Sequence, residues 1–97
     1  MRERRAIVVQ GIVQGVAFRP FVFRLATSAG LCGCVQNRTG EVAIEVQGET
    51  DSLEAFLVDL IKQAPPLARI ENVTWQSIPI RNDTGFHIAP SAIVAAV

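Results

Sequence analysis

The sequence predicts an α+β domain. Its elements run strand–helix–strand–strand–helix–strand with a short extra strand at the end, forming an antiparallel sheet with both helices on one face. Three observations carry that prediction. Residues 41–47 alternate, with Val42, Ile44 and Val46 on one side and Glu41, Ala43, Glu45 and Gln47 on the other, the period of a strand whose two faces differ. Leu53, Phe56, Leu57, Leu60 and Ile61 fall at i, i+3, i+4, i+7 and i+8, one stripe of an amphipathic helix. Residues 4–13 place Ile and Val in both parities, as a central strand covered on both faces does.

In chain order, residues 4–13 form strand one. Helix one covers 20–29, with Phe21, Val22, Leu25 and Ala29 on one side and Arg24 and Ser28 on the other. Pro20 stands at its first position, where a missing N–H has no intrahelical partner to lose, and Gly30 stops it. Strand two covers 31–37. A turn at Asn37-Arg38-Thr39-Gly40 joins it as a hairpin to strand three at 41–47, which Gly48 ends. Asp51 with Glu54 three residues on reads as a capping box for helix two at 51–63, which Pro65-Pro66 closes. Strand four covers 69–80, with Ile70, Val73 and Trp75 among its apolar positions. After a turn at Asn82-Asp83-Thr84-Gly85 comes the short strand Phe86-His87-Ile88. This order is the split βαβ, or ferredoxin-like, arrangement. Residues 1–90 read as one domain, and the apolar run 91–97 as a tail or the start of a linker to further domains.

Composition narrows the function. A 97-residue chain fits one domain with a modest core. Nine basic and nine acidic residues cancel, leaving no broad positive field to attract nucleic acid. Strands one and three carry no aromatic residue, so the base-stacking platform of an RNA-recognition module is missing. No stretch approaches a membrane span, and the apolar run Ala6–Val9 breaks too early for a signal peptide. Cys32 and Cys34 are the only cysteines and His87 the only histidine. These read as two small buried thiols in a reducing cytoplasm and a strand residue outside the chemistry, with no metal site and no cofactor.

The most informative stretch is Gly11-Ile12-Val13-Gln14-Gly15-Val16-Ala17-Phe18-Arg19-Pro20. A strand stops, a glycine-hinged loop follows, and a helix begins. Such a loop aims several backbone N–H groups at one point, which suits an anion. Arg19 adds a planar, permanently charged fork. A cation beside a helix N-terminus opposes the helix dipole, a conflict that a bound anion removes. On the residues alone, Arg19 also reads as a solvated first-turn residue, Gln14-Gly15 as a tight turn, and Asn37 as a turn-former.

The stretch from Gly11 to Arg19 resembles one signature of the acylphosphatase family, and Gly33-Cys34-Val35-Gln36-Asn37, Gly40-x-Val42 and Gly48 resemble the other. The resemblance covers residues 5–88. Cys34 departs from it, since the family carries an aromatic residue there. The resemblance implies hydrolysis of the carboxyl–phosphate bond of acyl phosphates without a metal. Arg19 and the backbone N–H groups of Gln14, Gly15, Val16, Ala17, Phe18 and Arg19 would hold the phosphoryl oxygens, or inorganic phosphate, and Asn37 would orient the attacking water. Pro20 after Arg19, together with Ala64-Pro65-Pro66-Leu67-Ala68-Arg69-Ile70, is more similar to the acylphosphatase-like domain that heads the carbamoyltransferases of nickel–iron hydrogenase maturation. That likeness implies carbamoyl phosphate as substrate and downstream domains in the same polypeptide. A free-standing acylphosphatase of broad scope and a non-catalytic module that captures carbamoyl phosphate are the alternatives.

Overall fold

The computed structural model describes residues 1–90; the expected tail at 91–97 lies outside them. The elements are β1 (Arg2–Ile12), α1 (Phe18–Ser28), β2 (Cys32–Arg38), β3 (Glu41–Glu49), α2 (Thr50–Lys62), β4 (Arg69–Ile78) and β5 (Phe86–Ile88). They form a five-stranded sheet in the order β4-β1-β3-β2-β5. Ile7 and Val9 of β1, Val35 of β2, and Val42, Ile44 and Val46 of β3 lie in one buried cluster with Phe18, Phe21, Val22 and Ala26 of α1 and Leu53, Phe56 and Leu60 of α2. Both helices therefore cover the same face, and the ferredoxin-like class stands.

The sheet is mixed rather than wholly antiparallel, because β5 runs parallel to β2, with Gly33 opposite Phe86 and Val35 opposite Ile88. The path of the chain dictates this. β4 ends beside Arg4, at the end of the sheet where β2 starts, and residues 79–85 cross that end without traversing the sheet. The crossing is fastened by side chains. The Gln47 amide donates to the Arg81 carbonyl and accepts from its N–H, each at 2.8 Å. Buried Arg4 reaches Glu45 and Asp83 at 2.8 and 2.9 Å. Burial opposes the Arg4 charge, but the bonds to Glu45 and Asp83 outweigh it and raise its pKa. Phe86 then packs on Phe23 of α1, ring centroids 6.3 Å apart.

Several local expectations shift. Helix α1 starts two residues early, so Pro20 is its third residue; it still lies in the first turn, where no N–H is needed. Ala26 joins the core instead of Ala29, while Gly30 and Leu31 close the C-terminus by donating to Thr27 and Ala26 carbonyls at 3.1 and 3.0 Å. The capping box does not form: Glu49 is the N-cap and makes no side-chain cap bond. Glu54 is instead committed to the buried Arg5 guanidinium at 3.2 Å. Arg5 also lies 3.9 Å over the Trp75 ring, and with Ser77 it holds the Glu3 carboxyl below the usual carboxylate range. Ile61 of α2 is exposed. Cys32 and Cys34 are half-buried rather than buried, because their parity puts them on the helix-free face.

Strand β3 continues through Gly48 to Glu49, pairing with both neighbours: Arg2–Gln10 of β1 and Cys32–Arg38 of β2. Gly33 permits the second pairing. Its φ is 138°, and a Cβ there would sit 1.9 Å from the Glu45 carbonyl oxygen, so β2 can lie this close to β3 only with glycine at that position. Gly33→Ala is expected to cost about 3 kcal/mol or more, the sum of strain and a backbone clash. A urea-unfolding midpoint close to the wild type's would contradict this.

Candidate active site

The loop between β1 and α1 is pinned at both ends. Val13 and Phe18 are each 1% exposed and belong to the core, while Gln14, Gly15 and Ala17 between them are exposed and Val16 is half-buried. A register shift at Gln10/Gly11, where β1 pairs with β4, bends the strand as it enters the loop. Gly15 has φ 71°, with open space where a Cβ would be, so glycine serves conformation there rather than close packing. Ala17, the N-cap of α1, has φ 62° and ψ 26° and is the only non-glycine residue with positive φ among the described residues. Alanine holds this conformation at a cost of order 1–3 kcal/mol, strain of the kind found at ligand clamps.

Alternating left-handed residues before a helix turn successive amides toward one concavity. Among the described residues, no backbone N–H from Gln14 to Arg19 donates to a backbone carbonyl; the first such bond comes from Phe21 to Ala17 at 3.2 Å. The first turn of α1 holds no acidic residue. Arg19 is its second residue, half-buried, and forms no ion pair among the described residues, in contrast to Arg4, Arg5 and Arg81. Free amides, a helix N-terminus and a residue with an unneutralised guanidinium thus belong to one short segment, and an anion bound there would satisfy all three.

Asn37 belongs to β2 opposite Val42, in strand rather than in the turn, which is confined to Thr39-Gly40. Its parity with Val35 puts its side chain on the helix-covered face, at the end of β2 nearest the loop. Its Oδ1 is buried and accepts no hydrogen bond. An unpaired buried acceptor costs about 1–3 kcal/mol, so this atom is placed for something other than stability. Loop and strand end are joined by Gln14, whose Nε2 donates to the Arg38 and Glu41 carbonyls at 2.5 and 3.1 Å.

Arg19 and Asn37 therefore come from different elements but from the same face and the same end of the sheet. The side chain of Gln14 was not legible as a site element: a lone Gln in a loop has no spacing signal, and only the fold shows what its amide reaches. Burial pushes the Cys34 thiol up, away from thiolate chemistry, and His87, on the exposed edge strand β5, lies outside the loop–Asn37 pair.

The acylphosphatase family model matches residues 5–88. Over 92 residues the chain is 40% identical to the carbamoyltransferase HypF of Synechocystis sp., covering 95% of this chain and 12% of that protein. Over 82 residues it is 39% identical to an acylphosphatase of Bifidobacterium longum, covering 84% of each. The crystal structure of full-length HypF in a phosphate- and nucleotide-bound form superposes with a TM-score of 0.94 at 35% identity, over 98% of this chain and 13% of that one. The chain thus spans about an eighth of the carbamoyltransferases it matches.

Proposed function

Because the chain belongs to the acylphosphatase family, we propose that it hydrolyses the carboxyl–phosphate bond of acyl phosphates, with carbamoyl phosphate as its substrate. The observation that carries this reading is the pairing of the amide-lined loop and Arg19 with the orphaned Oδ1 of Asn37. A pure anion trap has no use for a buried acceptor facing nothing, whereas hydrolysis needs a group that accepts a hydrogen bond from the attacking water.

The loop amides and Arg19 hold the three phosphoryl oxygens and offset the charge that grows on them in the transition state, the compensation a metal would otherwise give. Asn37 Oδ1 holds the water so that its lone pair faces phosphorus in line with the acyl oxygen. The new P–O bond forms as the bond from phosphorus to the acyl oxygen breaks. That bond's electron pair leaves on the carboxylate, which for carbamoyl phosphate is carbamate. The carboxylate needs no general acid, and the water proton passes to a phosphoryl oxygen, so phosphate is the second product.

The 40%-identical carbamoyltransferase and the 0.94 TM-score superposition support carbamoyl phosphate over other acyl phosphates. They also support residues 1–90 as the N-terminal domain of a carbamoyltransferase in nickel–iron hydrogenase maturation, with 91–97 leading toward downstream domains. Free cysteines Cys32 and Cys34 suit the cytoplasm; no described helix is long and apolar enough to cross a membrane. The 84% mutual coverage with the Bifidobacterium longum acylphosphatase favours, as second reading, a broad-scope acylphosphatase. Comparing kcat/KM for carbamoyl and acetyl phosphate separates the two. A preference of about tenfold or more for carbamoyl phosphate is expected; equal values favour broad scope, and binding of carbamoyl phosphate without turnover would make the domain a capture module.

A further inference from the structure

We propose that the side chain of Gln14 is a positioning residue that holds the phosphate loop at a fixed distance from Asn37, an inference that rests on the hydrolytic reading above. The two halves of the site belong to different parts of the chain. The amides and Arg19 ride on the β1–α1 connection, Asn37 on β2. The buried anchors of the loop, Val13 and Phe18, fix its ends to the core but leave Gln14, Gly15 and Ala17 in solvent. Across that exposed middle, Gln14 Nε2 spends both of its hydrogens on the two carbonyls that flank the Thr39-Gly40 turn, those of Arg38 and Glu41. Arg38 adjoins Asn37, so the span from loop to water-holding residue is one side chain and one peptide unit.

An exposed glutamine gains little from burial and loses rotamer freedom when both donors are fixed. The consequence of this bridge is geometric. In-line attack tolerates little error between water and phosphorus, and a displacement of about 1 Å costs roughly a hundredfold in rate. Phosphate binding, by contrast, uses groups on the loop side alone, so loosening the bridge separates turnover from affinity.

The test is Gln14→Met, which keeps the length and neutrality of the side chain and removes the donor. For carbamoyl phosphate, kcat is expected to fall about ten- to a hundredfold, while Ki for inorganic phosphate stays within about threefold and the thermal midpoint within about 3 °C. A kcat near the wild type's overturns the proposal, as does a parallel loss of kcat and phosphate affinity. A readout independent of turnover is the side-chain amide resonance of Asn37 during titration with inorganic phosphate. It is expected to respond in the wild type and to lose most of that response in Gln14→Met at saturating phosphate; an undiminished response overturns the bridge. A wild type that binds phosphate without releasing it from carbamoyl phosphate refutes the hydrolytic reading, and the resonance alone then decides the role of Gln14.

Discussion

Replacing Arg19 with alanine is expected to lower phosphate release from carbamoyl phosphate by about a thousandfold or more, the scale of losing an arginine that neutralises a transferring phosphoryl group. Arg19 is the only cation in the loop and the first turn of α1, and no carboxylate among the described residues claims it, so its charge is free for a ligand. Affinity for inorganic phosphate should fall with the rate, because the proposed mechanism has the same fork contact the phosphoryl oxygens before and during reaction. Stability should move the other way. A guanidinium in the first turn opposes the helix dipole by about 0.3–1 kcal/mol, so the ligand-free variant is expected to unfold at the wild-type temperature or slightly above it. Added phosphate should raise the thermal midpoint of the wild type and leave that of Arg19→Ala unchanged. A variant that loses activity because it has unfolded would contradict this account of the residue.

Asn37→Ala is expected to lose about a hundred- to a thousandfold in kcat while binding inorganic phosphate nearly as well as the wild type. The Asn37 side chain stands on β2, apart from the loop amides, and its Oδ1 has no protein donor. In the proposed mechanism it holds the water and does not hold the phosphate. Deleting an unsatisfied buried acceptor costs no hydrogen bond, so urea unfolding should show little loss of stability. Equal losses of turnover and phosphate affinity would mean that Asn37 binds the anion rather than the nucleophile. The contrast between the two variants, affinity lost in Arg19→Ala and kept in Asn37→Ala, separates the two roles.

Much of this arrangement is written in short-range patterns. The Val42-Ile44-Val46 alternation and the Leu53-Phe56-Leu60 stripe each report one buried face, and the structure buries all six residues. What escaped the sequence depends on contacts distant along the chain. The direction of β5 follows from how residues 79–85 cross the sheet end, held by Arg4–Asp83 and Gln47–Arg81 pairs separated by more than thirty residues. The Asp51/Glu54 capping pattern was outcompeted by Arg5, a partner 49 residues away. At the site, Gly15 and Arg19 were visible as residue types suited to a hinge and an anion, whereas Asn37 read by type as a turn-former and was marked only by the resemblance to the family signature. The left-handed Ala17 was not, since alanine carries no turn signal and takes positive φ only when surrounding structure imposes it. The orphaned Oδ1 of Asn37 likewise exists only once the folded chain has buried it.

The central claim is that this loop and Asn37 together perform hydrolysis, and its most direct test is one rate measured on three proteins. Phosphate release from carbamoyl phosphate would be followed for wild-type 1–97, Arg19→Ala and Asn37→Ala under identical conditions, each confirmed as folded. The expected result is turnover by the wild type well above the spontaneous rate, with both variants at or near background. A wild-type rate no faster than either folded variant would contradict the claim and leave an anion-binding domain without catalysis.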